Sequence, residues 1–173
     1  MLLGSYENFP KNVHKVAIFN FKEPKKAIQQ AILFGFHRLN QETFDLNNIM
    51  PYLKQNYKVS FEFGVAHDED FTFLDQNELE QCLTVVTENE LDSLDFFFVI
   101  RYHRVNDKGK QIPLRFDYHV LRFIFHENIL ELRIRHERGI QRVQLDELTD
   151  FITKQVNIEL EKKQLSPLNM ERL

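Results

Sequence analysis

The chain has 173 residues and a formal net charge of −4, and 43% of its residues are hydrophobic, which suits one domain with a core of its own. Its single cysteine, Cys82, excludes an intramolecular disulfide, and its longest purely apolar run, Phe96–Ile100, is far too short for a membrane helix. We therefore expect a soluble, cytoplasmic protein with no membrane partner, folded as a single α+β domain over residues 1–173.

The first part of the chain predicts a strand followed by two helices. His14–Phe21 is rich in β-branched and aromatic residues, as strands are. Pro24 suits the first turn of a helix that spans about residues 24–40, and Asp45 suits the N-cap of a second, shorter helix. The apolar face of that second helix would consist of Leu46, Ile49, Met50 and Leu53.

The next segment contains one clear element and one ambiguous one. Tyr57–His67 alternates apolar and polar residues, which predicts a strand with one buried face. Asp75 is a suitable N-cap for a helix over residues 76–87. The run Cys82–Thr87 would equally suit a strand, and we favour the helix.

Three strand-like runs between about residues 95 and 138 predict a β-meander, with turns at Asn106–Gly109 and at Glu127–Asn128. The second run places apolar residues on one alternation up to Val120 and on the other alternation from Leu121 onward. We therefore predict a β-bulge between these two residues, because one extra residue resets the alternation.

A long C-terminal helix is predicted over about residues 146–164, with Asp146 as its N-cap. Together these elements give an antiparallel sheet that helices cover on one face, which is an α+β layout. The element order resembles a helix-grip arrangement, in which a curved sheet wraps a C-terminal helix around a cavity. Four apolar residues near the end of the chain suggest a homodimer contact: Ile158, Leu165, Leu168 and Met170.

The meander is also where positive charge concentrates. Residues 94–142 carry ten basic and six acidic side chains, although the whole chain is acidic. The turn at Glu127–Asn128 places Arg122 opposite Arg133, and like charges directly opposite each other destabilise a sheet. With the predicted bulge, six candidate binding residues leave the sheet on the side away from its aromatic rings: Arg101, Arg115, His119, Arg122, Arg133 and Arg135.

Such a basic face is either a solvated surface, with arginine stems covering apolar groups, or a binding surface. We favour a non-enzymatic adaptor or binding domain that engages an acidic protein or an anionic ligand. On this hypothesis, alanine at Arg122 and Arg133 should abolish binding and leave or raise stability. Nucleic acid is a weaker third hypothesis, because the pI is about 6.0 and the aromatic residues alternate away from the arginines.

An alternative is a small-molecule binder or enzyme with a cavity between a curved sheet and the C-terminal helix. Five aromatic residues would line that cavity: Phe61, Phe63, Phe116, Tyr118 and Phe123. We find no catalytic motif, no cofactor motif and no metal-site spacing in the sequence. The acidic run His67–Asp70 and a pairing of His119 with His136 are the nearest approaches to a metal site.

Overall fold

The computed structural model describes residues 3–52 and 56–171, and within them it confirms the α+β class. The helices are α1 (Lys25–Leu39), α2 (Gln76–Glu88), α3 (Leu145–Lys162) and a short 3-10 helix (Leu46–Asn48). The strands are β1 (Lys15–Asn20), β2 (Thr43–Asp45), β3 (Tyr57–His67), β4 (Asp70–Phe73), β5 (Ser93–Val105), β6 (Gln111–Phe125), β7 (Ile129–Arg138) and β8 (Asn169–Met170).

All described strand pairs are antiparallel, and they form one sheet in the order β2-β3-β5-β6-β7-β1-β8, with β4 paired to the end of β3. The sheet has an inner face, which packs against α1 and α3, and an outer face, which none of the described helices covers. The predicted meander, β5-β6-β7, therefore forms the centre of a larger sheet.

Among the described residues, no helix has the length and apolar composition that a bilayer span requires.

The inner face is filled by aromatic rings. Phe61 of β3 stacks on Phe151 of α3 with ring centroids 5.5 Å apart, and Phe63 stacks on Phe36 of α1 at 4.1 Å. Phe123 is also buried in this core. Two of the five residues predicted to line an inner cavity, Phe116 and Tyr118, lie on the outer face instead, so the predicted cavity lining was wrong for these two.

Three of the four predicted helices are present, as α1, α2 and α3, and the second of the four is reduced to a single 3-10 turn. The Asp75 side chain caps α2 by accepting a 2.8 Å hydrogen bond from the backbone N of Glu78, so residues 76–87 form a helix. Asp45 precedes only a single 3-10 turn, and Leu53 lies outside the described residues. The N-cap of α3 is Gln144, so the predicted cap at Asp146 was wrong.

Asp146 instead lies in the first turn of α3, where its negative charge interacts favourably with the positive end of the helix dipole and stabilises the helix. Its carboxylate also pairs with Lys15 of β1 at 2.8 Å. The apolar stripe of α3 faces the core as its helical spacing predicts. The buried members of that stripe are Leu148, Phe151, Ile152, Val156 and Leu160.

The bulge in β6 lies closer to its N-terminal end than predicted. Phe116 pairs with Arg101 and Pro113 pairs with His103, so β6 holds one extra residue against β5 at positions 114–115. Pairing then continues without a break through Val120. The predicted bulge between Val120 and Leu121 was wrong, and the reason is that Val120 is an apolar residue on the outer face.

The apolar residues near the C-terminus are largely used within the chain. Leu168 is only 5% exposed, and Leu165 and Met170 pack against the core. Met170 also pairs with Phe19 in the sheet. A homodimer contact through these residues stays a prediction.

Candidate functional site

Residues 3–14, which we call the N-terminal strap, run across the outer face of the sheet. The strap begins at the end of β3, where the backbone N of Gly4 donates a 2.7 Å hydrogen bond to the carbonyl of Ala66. It reaches β7 at its other end, where the backbone N of His136 donates to Nδ1 of His14 at 3.1 Å. The strap therefore crosses β5 and β6 above the centre of the predicted basic face.

Two of the predicted binding arginines hold this strap in place. Arg122 donates to the carbonyl of Tyr6 at 3.2 Å, and Arg135 donates to the carbonyl of Asn12 at 2.8 Å. The Arg122 guanidinium also lies 4.2 Å from the ring centroid of Phe9, which is a cation–π distance. These arginines therefore serve the fold of the chain itself.

A groove with a volume of about 990 Å³ lies between the strap and the outer face. Its size is at the upper end of the range for sites that bind small molecules. Strap residues 6–12 contribute one wall, and the floor consists of Phe71, Phe97, Tyr118 and Val120. The groove is thus built from parts of the chain that are distant in sequence.

The floor of the groove belongs to a continuous series of rings, which we call the aromatic row: Tyr6, Phe71, Phe97, Tyr118 and Phe116. Neighbouring ring centroids along the row are 4.7, 5.5, 5.5 and 5.0 Å apart. Phe116, at one end, is 38% exposed, and the other four are partly buried. Contiguous apolar groups that remain exposed on a protein surface often mark a binding site.

Cationic side chains stand at the rim of the groove. Lys11 of the strap and Arg138 at the end of β7 are exposed, and neither forms an ion pair with any residue that the structure describes. Arg135 also reaches the groove, but it is paired with Glu137 at 3.3 Å. Lys11 and Arg138 are therefore the rim cations free to meet a ligand.

Most arginines of the predicted basic face each form an ion pair with a carboxylate of their own. Arg101 pairs with Glu62 at 2.8 Å, and Arg133 pairs with Glu131 at 3.1 Å. Arg115 is exposed, and it has no ion pair within the described part of the chain. These carboxylates come from neighbouring strands or from the same strand, so the sequence alone did not reveal them.

The predicted register of β6 and β7 is confirmed from His119 to Phe125, but β7 holds one extra residue beyond it, since Tyr118 pairs with Arg138. Arg122 lies opposite Arg133, and Val120 lies opposite Arg135. The repulsion between the two facing arginines is relieved because Arg122 forms two 2.8 Å hydrogen bonds to the carboxylate of Asp95 on β5. Asp95 is 0% exposed, so this pair is a structural salt bridge.

His119 departs from its predicted place. It lies on the inner face, is 0% exposed, and stacks on Phe98 with ring centroids 4.7 Å apart. It pairs with His136 in the sheet, as the register predicts. Since the bulge precedes Phe116 and does not follow His119, the alternation turns this side chain toward the core, and its predicted place on the basic face was wrong.

Beside His119, the buried carboxylate of Asp117 organises the end of the meander. It accepts hydrogen bonds from the Tyr102 hydroxyl at 2.6 Å and from the backbone N of Gln141 at 2.7 Å, and it lies 2.9 Å from Nε2 of His136. Burial works to raise the pKa of this carboxyl, but these bonds and one from the backbone of Arg142 outweigh it, so the pKa lies below its usual value.

Gly139 allows the chain to fold closely over that carboxylate. Its φ of +115° is favourable only for glycine, and a Cβ there would collide with Asp117 and with the carbonyl of Phe116. Burial, followed by the hydrogen bond to Asp117, raises the pKa of the Tyr102 hydroxyl. The cluster is a closed structural network, because its donors and acceptors are directed at each other.

His119 is a buried side chain whose polar atoms form no hydrogen bonds. Neither ring nitrogen has a hydrogen-bond partner, and burial, with a smaller contribution from His136, lowers the pKa of the imidazole to about 3. The nearby Asp117 carboxylate works in the opposite direction, and His14 adds to the lowering. The folded protein therefore keeps this imidazole neutral across the physiological range.

We expect His119→Leu to reduce the acid sensitivity of the fold. An unfolded imidazole titrates near pH 6.5. Between about pH 6.5 and 3 the unfolded chain therefore binds a proton that the folded chain does not bind, so the free energy of unfolding decreases as the pH is lowered. At about pH 5 this effect amounts to about 2 kcal/mol. Denaturant unfolding at about pH 7.5 and 5 should show the variant losing less stability than the parent; equal losses would contradict the assignment to His119.

The remaining candidates from the sequence are the acidic run His67–Asp70 and the thiol of Cys82. Within the described ranges, no group of three or more His, Cys, Asp or Glu side chains could hold a metal ion. His67 of the acidic run contacts Glu78 of α2 at 2.5 Å. Burial, and then Glu78, raise the pKa of the Cys82 thiol, so this cysteine stays protonated and unreactive.

Comparisons of this chain with models of protein families, with curated proteins and with solved structures found no match. The chemistry of the groove is therefore the basis on which a function is proposed.

Proposed function

We propose that this protein is a non-enzymatic binding domain that takes an anionic ligand into the groove on the outer face of its sheet. The observation that carries the proposal is the pair of rim cations, Lys11 and Arg138, beside an aromatic floor. A groove of this size, with a mostly apolar floor and few charged groups, suits a bound ligand. An acidic segment of a partner protein and a smaller anion are both compatible with this charge.

The binding residues of this groove differ from the arginines that the sequence singled out. Arg122 and Arg133 are each paired with a carboxylate, so they bring little free charge to an anion. Lys11 brings one unpaired charge from the strap, and Arg138 brings a second from the end of β7. Both side chains line the same groove, so both act on a ligand bound in it.

We expect alanine at both Lys11 and Arg138 to weaken the binding of anionic probes by about tenfold, because both rim charges are lost. The probes are fluorescein-labelled oligoglutamate and a labelled thymidylate oligomer of about twelve nucleotides, and binding is measured by fluorescence anisotropy at low salt. Both positions are exposed, so the thermal unfolding of the variant should match that of the parent.

The matched control is alanine at Lys22 and Lys154, which are exposed and lie before α1 and on α3, away from the outer face. This control changes the net charge equally and should leave binding within about twofold. Equal weakening by both double variants would show a general charge effect and overturn the proposed site. Absence of binding by both probes to the parent protein would overturn the function.

A further inference from the structure

We infer that the anionic ligand of the groove is a single-stranded nucleic acid, whose bases stack on the aromatic row while its phosphates meet Lys11 and Arg138; this rests on the proposed function. Two observations from the sequence argued against nucleic acid: a pI of about 6.0, and aromatic and basic residues expected on opposite faces. In the folded chain the rings and the arginines share one face, so the second of these objections falls.

Two rings of the aromatic row lie side by side in the floor of the groove. Phe97 of β5 and Tyr118 of β6 are neighbours across the sheet, with ring planes 27° apart and centroids separated by 5.5 Å. Both are partly exposed in the floor of the groove. Proteins that bind single strands use sheet faces with such rings, because every base has a flat face to stack.

The aromatic row continues beyond these two rings in both directions. Phe71 extends it toward the strap, and Phe116 extends it toward Arg101, whose guanidinium lies 5.6 Å from the Phe116 centroid. A small anion would need one ring at most, whereas successive bases use several. An acidic peptide segment needs the cations but has no use for a continuous series of rings.

The free positive charge of the groove is small. Among the described residues that line it, Lys11 and Arg138 are the two cations without an ion pair, so few phosphates are neutralised and stacking must provide most of the affinity. For single strands, the slope of log K against log salt is about −0.7 per phosphate neutralised. We therefore expect a shallow slope of roughly −1 to −2, and each rim cation removed should reduce it by about 0.7.

The test compares two oligomers on the unmodified protein. One is a thymidylate oligomer of about twelve nucleotides, and the other is an abasic oligomer of equal length that carries the same phosphates without bases. We expect the abasic oligomer to bind at least about tenfold more weakly, because stacking is lost. Equal binding of the two would overturn the inference and leave the anion site standing.

Two variants locate the stacking. Phe97→Leu and Tyr118→Leu should each weaken binding of the thymidylate oligomer by about tenfold. Tyr118→Phe keeps the ring, so its affinity should stay within about twofold of that of the parent protein. Phe34→Leu, at a partly buried ring on α1, is the matched control and should have no effect. Losses that Phe34→Leu reproduces, or that Tyr118→Phe does not avoid, would contradict stacking.

The failure of the inference can be told apart from the failure of the proposed function. If oligoglutamate binds through Lys11 and Arg138 and the thymidylate oligomer does not, the ligand is an acidic peptide and the inference is overturned alone. If neither probe binds, both proposals fail. A uridylate oligomer of the same length separates RNA from DNA as the source. Tighter binding of either oligomer than of its abasic counterpart to the protein supports the inference.

Discussion

Replacing Arg122 with alanine is expected to lower the free energy of unfolding by about 3 kcal/mol. The substitution leaves the carboxylate of Asp95 buried, at 0% exposure, without the guanidinium that gives it two 2.8 Å hydrogen bonds. It also removes the donor to the Tyr6 carbonyl and the contact with the Phe9 ring. The measurement is denaturant unfolding followed by circular dichroism at neutral pH.

The control is alanine at Arg133, which faces Arg122 in the sheet. Its partner Glu131 is on the same strand and partly exposed, so we expect a loss of less than about 1 kcal/mol. A double variant, Arg122→Leu with Asp95→Asn, should recover part of the loss, because no unpaired charge is left buried. Equal costs for Arg122→Ala and Arg133→Ala would contradict a structural role for the Arg122–Asp95 pair.

This result would also correct the expectation that alanine at Arg122 and Arg133 leaves or raises stability. That expectation treated the two arginines as a like-charged pair facing solvent. The structure adds Asp95, which was counted only as one acid in the segment. If Arg122→Ala destabilises the fold, a lost interaction in that variant is no evidence of a binding role for Arg122.

Replacing Asp117 with alanine is expected to lower the free energy of unfolding by about 3–5 kcal/mol. The buried carboxylate is the acceptor for the Tyr102 hydroxyl and for two backbone N–H groups, so its removal leaves several donors unpaired at once. It also releases the turn at Gly139, which is folded against that carboxylate. Thermal and denaturant unfolding report the loss.

Tyr102→Phe is the matched control for Asp117→Ala. It deletes one donor but leaves the carboxylate with its other partners, so it should cost only about 1 kcal/mol. The parent protein should also lose the contribution of Asp117 as the pH falls below about 3.8, because the folded carboxyl has a lowered pKa. An Asp117→Ala variant as stable as Tyr102→Phe would show that the network contributes little.

The elements of the fold were largely predictable because each depends on local pattern. The alternation in Tyr57–His67 and the helical spacing of Leu148, Phe151 and Ile152 have one reasonable interpretation each. Turns with a residue at positive φ, at Gly109 and Asn128, were also visible in the sequence. By contrast, β4 and β8 are short strands whose existence depends on pairing with β3 and β1, so no local signal marks them.

The candidate site was predicted poorly for a related reason. The side of the sheet on which Phe116, Tyr118 and His119 lie depends on where one extra residue enters β6, and an apolar run is compatible with more than one place. The packing of Val120 on the outer face decided it. The N-terminal strap was missed because residues 3–14 have no periodicity, and their placement depends on contacts with β3, β6 and β7.

The sequence by itself determined the α+β class, the meander register and the unequal distribution of charge, because each follows from short-range spacing and composition. Only the tertiary structure decided that four of the five predicted arginines are paired with carboxylates. It also decided that the aromatic row shares their face, and that the strap borders a groove with Lys11 and Arg138 at its rim. Ion pairs and grooves join residues far apart in the chain, and their geometry depends on strand twist, bulge position and packing together. Local pattern carries no information about that combination.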